Sequence, residues 1–150
     1  MDLGCYCVNF SRLIAGSEPV GATAEANFHP FSSVDLTLSG TLEFPGEVSA
    51  HFVCSFERDW AFGAEVVGTT GKMLLPHPWL PPTGVGEIVI TRGDDSETLR
   101  FPTPDLLTPF AGEIEHFSEC VRAGKPPLIT EADSLGNMRA IEMLLDSARP

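Results

Sequence analysis

The chain has 150 residues, 43% hydrophobic and 20% charged, a balance that excludes a disordered polymer and is long enough for one domain spanning residues 1–150 with a buried core. Nine basic against twenty-one acidic side chains give a net charge of −12, which argues against nucleic acid and anionic membrane surfaces as partners, because affinity for phosphate rests on Lys and Arg. No apolar run approaches the ~20 residues of a spanning helix, and the N-terminus has neither the basic start nor the apolar stretch of a signal peptide.

The first predicted element is a helix over Gly4–Ala15, in which Tyr6, Phe10 and Leu13 recur at i, i+4 and i+7 and Gly16 is the stop. Asp2 is placed to cap it. Residues 20–101 then alternate with period two. Val34, Leu36, Leu38, Leu42 and Phe44 continue across Pro45-Gly46 into Val48, Ala50, Phe52, Cys54 and Phe56, a hairpin with one apolar and one polar face. Pro-Gly suits a type II turn, which fits a two-residue hairpin poorly, so a slightly longer loop is expected. Two short strands flank a glycine turn within residues 66–75, the proline-rich stretch 76–86 reads as an irregular loop, and a last hairpin pairs 87–92 with 97–101.

A second helix follows, with Thr108 as its cap, Pro109 at its first position and Phe110, Ile114, Phe117 and Val121 in one stripe, closed by Gly124. The third opens with Thr130 and Asp133 in a capping-box pattern and carries Leu135, Met138, Ile141, Leu145 and Ala148 as its expected buried stripe. Helices at the two ends of an antiparallel meander make the fold class α+β: a mostly antiparallel open sheet with helices packed on one face.

Familiar chemistry is sparse. Gly68-Thr69-Thr70-Gly71-Lys72 looks faintly like a phosphate loop, but Val66 stands where the first glycine belongs and Met73 where Ser or Thr would meet magnesium. A plain turn is the reading, and no dinucleotide fingerprint is present. His29, His51, His77 and His116 are scattered without metal-ligand spacing, and there is no nucleophile elbow. The cysteines Cys5, Cys7, Cys54 and Cys120 form no C-x-x-C pair, and read as reduced, mostly buried thiols of a cytoplasmic protein. What remains is Asp2-Leu3-Gly4-Cys5-Tyr6. A carboxylate and a phenol four residues apart share one face of a helix. A phenol serves as general acid or base when a cation stands beside it; Arg12, two turns on, is too far to be that cation. The alternative reading of the pair is a helix cap and a half-buried aromatic.

Residues 2–19, Asp2-Leu3-Gly4-Cys5-Tyr6-Cys7-Val8-Asn9-Phe10-Ser11-Arg12 and onward, resemble the opening of the C-terminal domain of the Gfo/Idh/MocA oxidoreductases, in the branch of glucose–fructose oxidoreductase, NADP-dependent xylose dehydrogenase and dihydrodiol dehydrogenase. Residues 42–50, 67–75 and 109–138 are similar to further family stretches in the same order. The resemblance implies hydride transfer between a nicotinamide cofactor, NAD or NADP, and a sugar-like or polyol carbon of a small-molecule substrate. It implies Tyr6 as the catalytic proton donor or acceptor, Asp2 as the acid orienting the substrate hydroxyl, and Asn9 lining the same pocket. It also implies a homo-oligomer through the open sheet face, and a Rossmann-type domain carrying the cofactor and a catalytic lysine. This chain alone is expected to bind no cofactor, and is read as a truncated frame, an excised domain or half of a split enzyme, inactive by itself. The rival function is a non-catalytic binding or assembly module that kept the fold.

Overall fold

The structure is a computed structural model and describes residues 1–59, 62–103 and 110–149. It shows an α+β fold of three helices and seven antiparallel strands among the described residues, divided into two compact units: Met1–Asp59 with Leu128–Pro150, and Trp60–Pro127.

The first unit contains α1 (Gly4–Ala15), β1 (Gly21–Phe28), β2 (Asp35–Phe44), β3 (Val48–Ser55) and α3 (Glu131–Ala148). Its strands form a meander in the order β1-β2-β3. The loop between β2 and β3 has three residues, Pro45 to Glu47, with Phe44 opposite Val48, and Gly46 and Glu47 both at positive φ; this is the longer turn that Pro-Gly demands. Leu38 lies opposite Cys54 and Leu42 opposite Ala50, so the period-two pattern puts one apolar row inward. α1 and α3 both contact this sheet and each other. The core is Val8 of α1, Leu42 and Phe44 of β2, and Ala140, Ile141 and Leu144 of α3. Fully burying a side chain such as Leu42 or Leu144 contributes roughly 1.5–3 kcal/mol each.

Both helices of this unit bury a different face from the one their apolar periodicity suggests. In α1 the buried line is Gly4, Val8 and Arg12; Tyr6 and Leu13 of the sequence stripe are 54% and 73% exposed. In α3 the buried line is Gly136, Ala140, Ile141 and Leu144; of the expected stripe Ile141 is buried and Leu145 packs on the core, whereas Leu135 and Met138 are 51% and 60% exposed. The buried line of α3 mixes small and large residues, with Ala140, Ile141 and Leu144 in the core that Ala22 and Ala24 of β1 pack against. Thr130 caps α3 as expected, its Oγ1 accepting from the Asp133 N–H at 3.1 Å. Asp2 does not cap α1. The cap position is Leu3, with no side-chain capping bond, and Asp2 stands one residue outside it.

The second unit is a four-stranded antiparallel sheet, β4 (Ala64–Gly68), β5 (Gly71–Leu75), β6 (Gly84–Arg92) and β7 (Asp95–Thr103), in sequential order, followed by α2 (Ala111–Ala123). The described helix starts with Phe110 at its cap position; Thr108 and Pro109 lie outside the described residues. The α2 stripe of Phe110, Ile114, Phe117 and Val121 exists as read, but each member is more than half exposed.

Candidate functional site

The outer face of α1 carries two of the three residues singled out in the sequence, and the turn before it carries the third. Tyr6 is exposed and Asn9 half-buried, one helical turn apart at i and i+3. Asp2 is exposed in the turn that leads into the helix. That turn is ordered by its backbone: the Cys5 N–H donates to the Met1 carbonyl at 3.0 Å, and the Cys5 thiol donates to the Asp2 carbonyl at 2.9 Å. Leu3, Leu13 and Ile14 are also exposed, so the tyrosine sits in an apolar strip on a convex helix face. Two concavities of about 330 and 340 Å³ lie elsewhere, one around Pro76, His77 and Glu87, the other on the sheet around Thr23, Ser39 and Thr41.

Three cysteines, Cys5, Cys7 and Cys54, lie near one another here. Burial pushes the Cys7 thiol up to about 11, with the neighbouring Cys54 and Cys5 sulfurs adding to the shift. The Cys5 thiol is also raised, first by burial and then by the nearby Asp2 carboxylate. All four cysteines are free. Among the described residues no group of three His, Cys, Asp or Glu side chains could hold a metal ion, and no helix is long and apolar enough to cross a membrane.

Arg12 is not a partner for Tyr6. Six residues along a helix turn the side chain about 120° away, and Arg12 points inward, 6% exposed. Its Nε donates to Glu18 Oε2 at 2.9 Å and its Nη2 to Glu18 Oε1 at 2.6 Å. Nη2 also pairs with Asp133 Oδ1 at 3.1 Å, and Nη1 donates to Asn137 Oδ1 at 3.5 Å. Sequence reasoning did not find this cluster, because its members are spread over residues 12 to 137. The available signal was an arginine on the helix phase that buries Gly4 and Val8.

Neither the glycine turn nor the starts of α2 and α3 is built to cradle a pyrophosphate. Gly68 and Gly71 face each other across the two-residue turn Thr69-Thr70 joining β4 to β5, so the apparent phosphate loop leads into a strand and not a helix. A Cβ on Gly71 would collide with the Thr91 carbonyl oxygen, which accounts for that glycine by strand approach. Lys72 is paired with Glu65 at 3.3 Å. The first turns of α2 and α3 carry Glu113, Glu131 and Asp133, which repel a pyrophosphate where a helix N-terminus would otherwise attract one.

The comparisons agree with the fold. Residues 1–74 match the GFO/IDH/MocA C-terminal domain. The trans-1,2-dihydrobenzene-1,2-diol dehydrogenase of Macaca fuscata fuscata is 34% identical over 142 residues, covering 89% of this chain and 41% of that protein. The D-xylose 1-dehydrogenase (NADP(+)) 2 of Haloferax volcanii is 28% identical, covering 99% of this chain and 45% of that protein. A crystal structure of a 3-ketoreductase from Actinomadura kijaniata, in complex with TDP-benzene and NADP, superposes with a TM-score of 0.86 at 23% identity, over 99% of this chain and 46% of that one. The chain thus spans less than half the length of these relatives. By its sequence match, its fold and its dehydrogenase relatives, it belongs with the C-terminal domains of the GFO/IDH/MocA oxidoreductases.

Proposed function

We propose that this chain is the substrate-binding and oligomerisation half of an NAD(P)-dependent oxidoreductase acting on a sugar-like or polyol CH–OH group, and that it is inactive without a Rossmann-type partner domain. The observation that carries the reading is the exposure of Tyr6, 54%, within an apolar strip on α1. A phenol surrounded by exposed Leu3, Leu13 and Ile14 is a chemical group on a surface suited to being covered.

In this reading Tyr6 takes the proton from the substrate hydroxyl, or returns it in the reverse direction. Asp2 accepts a hydrogen bond from a neighbouring hydroxyl and so fixes the substrate's orientation. Asn9, one turn along the same face, offers one amide donor and one amide acceptor to the same polyol. The cofactor belongs to the partner domain, and no step on it is assigned to this chain. Dehydrogenases of a dihydrodiol and of xylose among the relatives support a polyhydroxy substrate.

The test is Tyr6→Phe in the two-domain enzyme. Turnover should fall by the ~10²–10⁴ of a lost general acid or base with the fold retained. Unchanged turnover would return Tyr6 to the role of a surface aromatic, and favour the assembly-module alternative.

A further inference from the structure

The buried face of α1 is less apolar than its exposed face. Inward go Gly4, Val8 and Arg12; outward go Leu3, Tyr6, Leu13 and Ile14. The inward side also packs Cys5 and Ala15 on the core, and the outward side keeps Leu13 and Ile14 exposed, so apolar burial by itself does not fix the rotation of the helix.

We infer that Arg12 is a positioning residue: its guanidinium, seated in the notch at Gly136 and held by Glu18, Asp133 and Asn137, fixes the rotation of α1 so that Tyr6 and Asn9 project outward. This rests on the reading of Tyr6 given above, which it deepens.

Four observations carry it. The arginine is nearly fully buried although α1 is half open to solvent. Its acceptors come from separate places, Glu18 from the loop after α1 and Asp133 and Asn137 from the first two turns of α3. The notch is made by a missing side chain, because a Cβ on Gly136 would collide with Arg12 Nη2 and come within 2.6 Å of Glu18 Oε1. Finally, one side chain of α3 ties the arginine to the backbone of α1: Asn137 Oδ1 accepts from Arg12 Nη1 at 3.5 Å, and its Nδ2 donates to the carbonyl of Cys5 at 3.4 Å. The link holds the arginine's side of the helix against α3, and Cys5 is the immediate neighbour of Tyr6. A forked, directional arginine suits this role in a way that an ammonium does not.

The carboxylates are not trapped if the arginine goes. Glu18 is 60% and Asp133 34% exposed, so both can return to water and the domain is left with no uncompensated buried charge.

Tyr6 is the only tyrosine in the chain, and gives a direct readout. The experiment is NMR of the 150-residue chain with ring-labelled tyrosine, at a concentration where sedimentation shows a monomer, measuring relaxation of the ring signal by a soluble gadolinium chelate, in Arg12→Gln, Gly136→Ala and Glu18→Gln. Far-ultraviolet circular dichroism checks each fold. We expect the relaxation enhancement at Tyr6 to be at least halved in Arg12→Gln and Gly136→Ala, as the phenol rolls toward the sheet, and to fall less in Glu18→Gln, whose exposed position leaves folding intact. Unchanged enhancement in every variant that retains its helical signal overturns the proposal. The readout is the place of the phenol and not turnover. A Tyr6→Phe enzyme of full activity would sink the catalytic reading and leave this one standing.

Discussion

Arg12 and Glu18 meet fork to fork, Nε on Oε2 at 2.9 Å and Nη2 on Oε1 at 2.6 Å. The arginine holds the Glu18 carboxyl below the ordinary carboxylate range, by this hydrogen bond first and by charge second. A depressed carboxyl adds stability that is fully present above its unfolded pKa of about 4.3 and is lost as pH falls through the folded value. Glu18 is 60% exposed, so solvent screening limits the contribution to about 1 kcal/mol. Urea midpoints followed from neutral pH into the acid range should fall below pH ~4 in the parent, and fall less steeply in Glu18→Gln. Parallel acid limbs would show that the pair adds nothing.

Gly136→Ala sets two effects against each other. Alanine raises helix propensity by about 1 kcal/mol. Against that, the new Cβ meets a guanidinium and a carboxylate held in place by each other, and overpacking costs about 1–3 kcal/mol. The steric cost should win, because the group in the way cannot swing aside without giving up its ion pairs. A lowered urea midpoint at constant slope is expected; an unchanged or raised midpoint would mean that the notch relaxes freely.

The third helix gives the sharpest contrast in stability. Leu144 is fully buried against Gly40 and the core, and Leu144→Ala should cost about 2–5 kcal/mol. Leu135→Ala and Met138→Ala, at positions more than half exposed, should stay within about 0.5 kcal/mol. Equal losses across the three would restore the face that apolar periodicity suggests.

That contrast also marks what a sequence can show. Gly4–Ala15 was readable as a helix because Gly16 closes it in the left-handed region with its N–H on the Arg12 carbonyl, a local event with a local signature. The hairpin of β2 and β3 was readable because alternation has one solution when one face is buried. Which face of a helix turns inward was not readable. In α1 and α3 the inner lines mix Val8, Ile141 and Leu144 with Gly4 and Gly136, which carry no hydrophobic signal, and with Arg12, which carries the opposite one. The burial of Arg12 depends in part on Asp133 and Asn137, more than a hundred residues away. The same holds for the candidate site. Tyr6, Asp2 and Asn9 could be named because they are neighbours in sequence, while the clamp behind them could not.

The cysteines make a prediction about reactivity. Burial raises the Cys7 thiol from 9.0 to about 11, and only the thiolate is nucleophilic. At neutral pH its thiolate fraction is about a hundred-fold below that of an unshifted thiol, two pKa units being two decades. Alkylation by iodoacetamide, followed by mass spectrometry in a Cys5→Ser background, should label Cys7 far more slowly in the native chain than in urea. The sign for stability follows from the same shift. The folded state holds the proton more tightly, so the contribution is present below the unfolded value and is lost as pH rises through the window from 9.0 to about 11. Labelling of Cys7 at the rate of the unfolded chain would refute both.

The outer strip of α1 should make the chain associate. Leu13 is 73% exposed, Tyr6 54% and Ile14 42%, and each large apolar side chain covered in a contact contributes on the order of 1.5–3 kcal/mol. A strip of this kind is sticky when uncovered. Sedimentation velocity at increasing concentration should show self-association of the 150-residue chain, and Leu13→Glu should suppress it by placing a carboxylate in the contact. α2 offers a rival surface, since Phe117 and Ile114 are also exposed, and Phe117→Glu is the control that separates them. Suppression by Leu13→Glu alone assigns the contact to the face that carries Tyr6, the face the proposed partner domain would cover. In that case adding the separately produced partner domain should compete with self-association and shift the chain into a mixed complex. Suppression by Phe117→Glu alone would place the contact on α2. A chain that stays monomeric at every concentration would show that the strip on α1 does not need covering, and would remove the main physical support for a partner domain docked there.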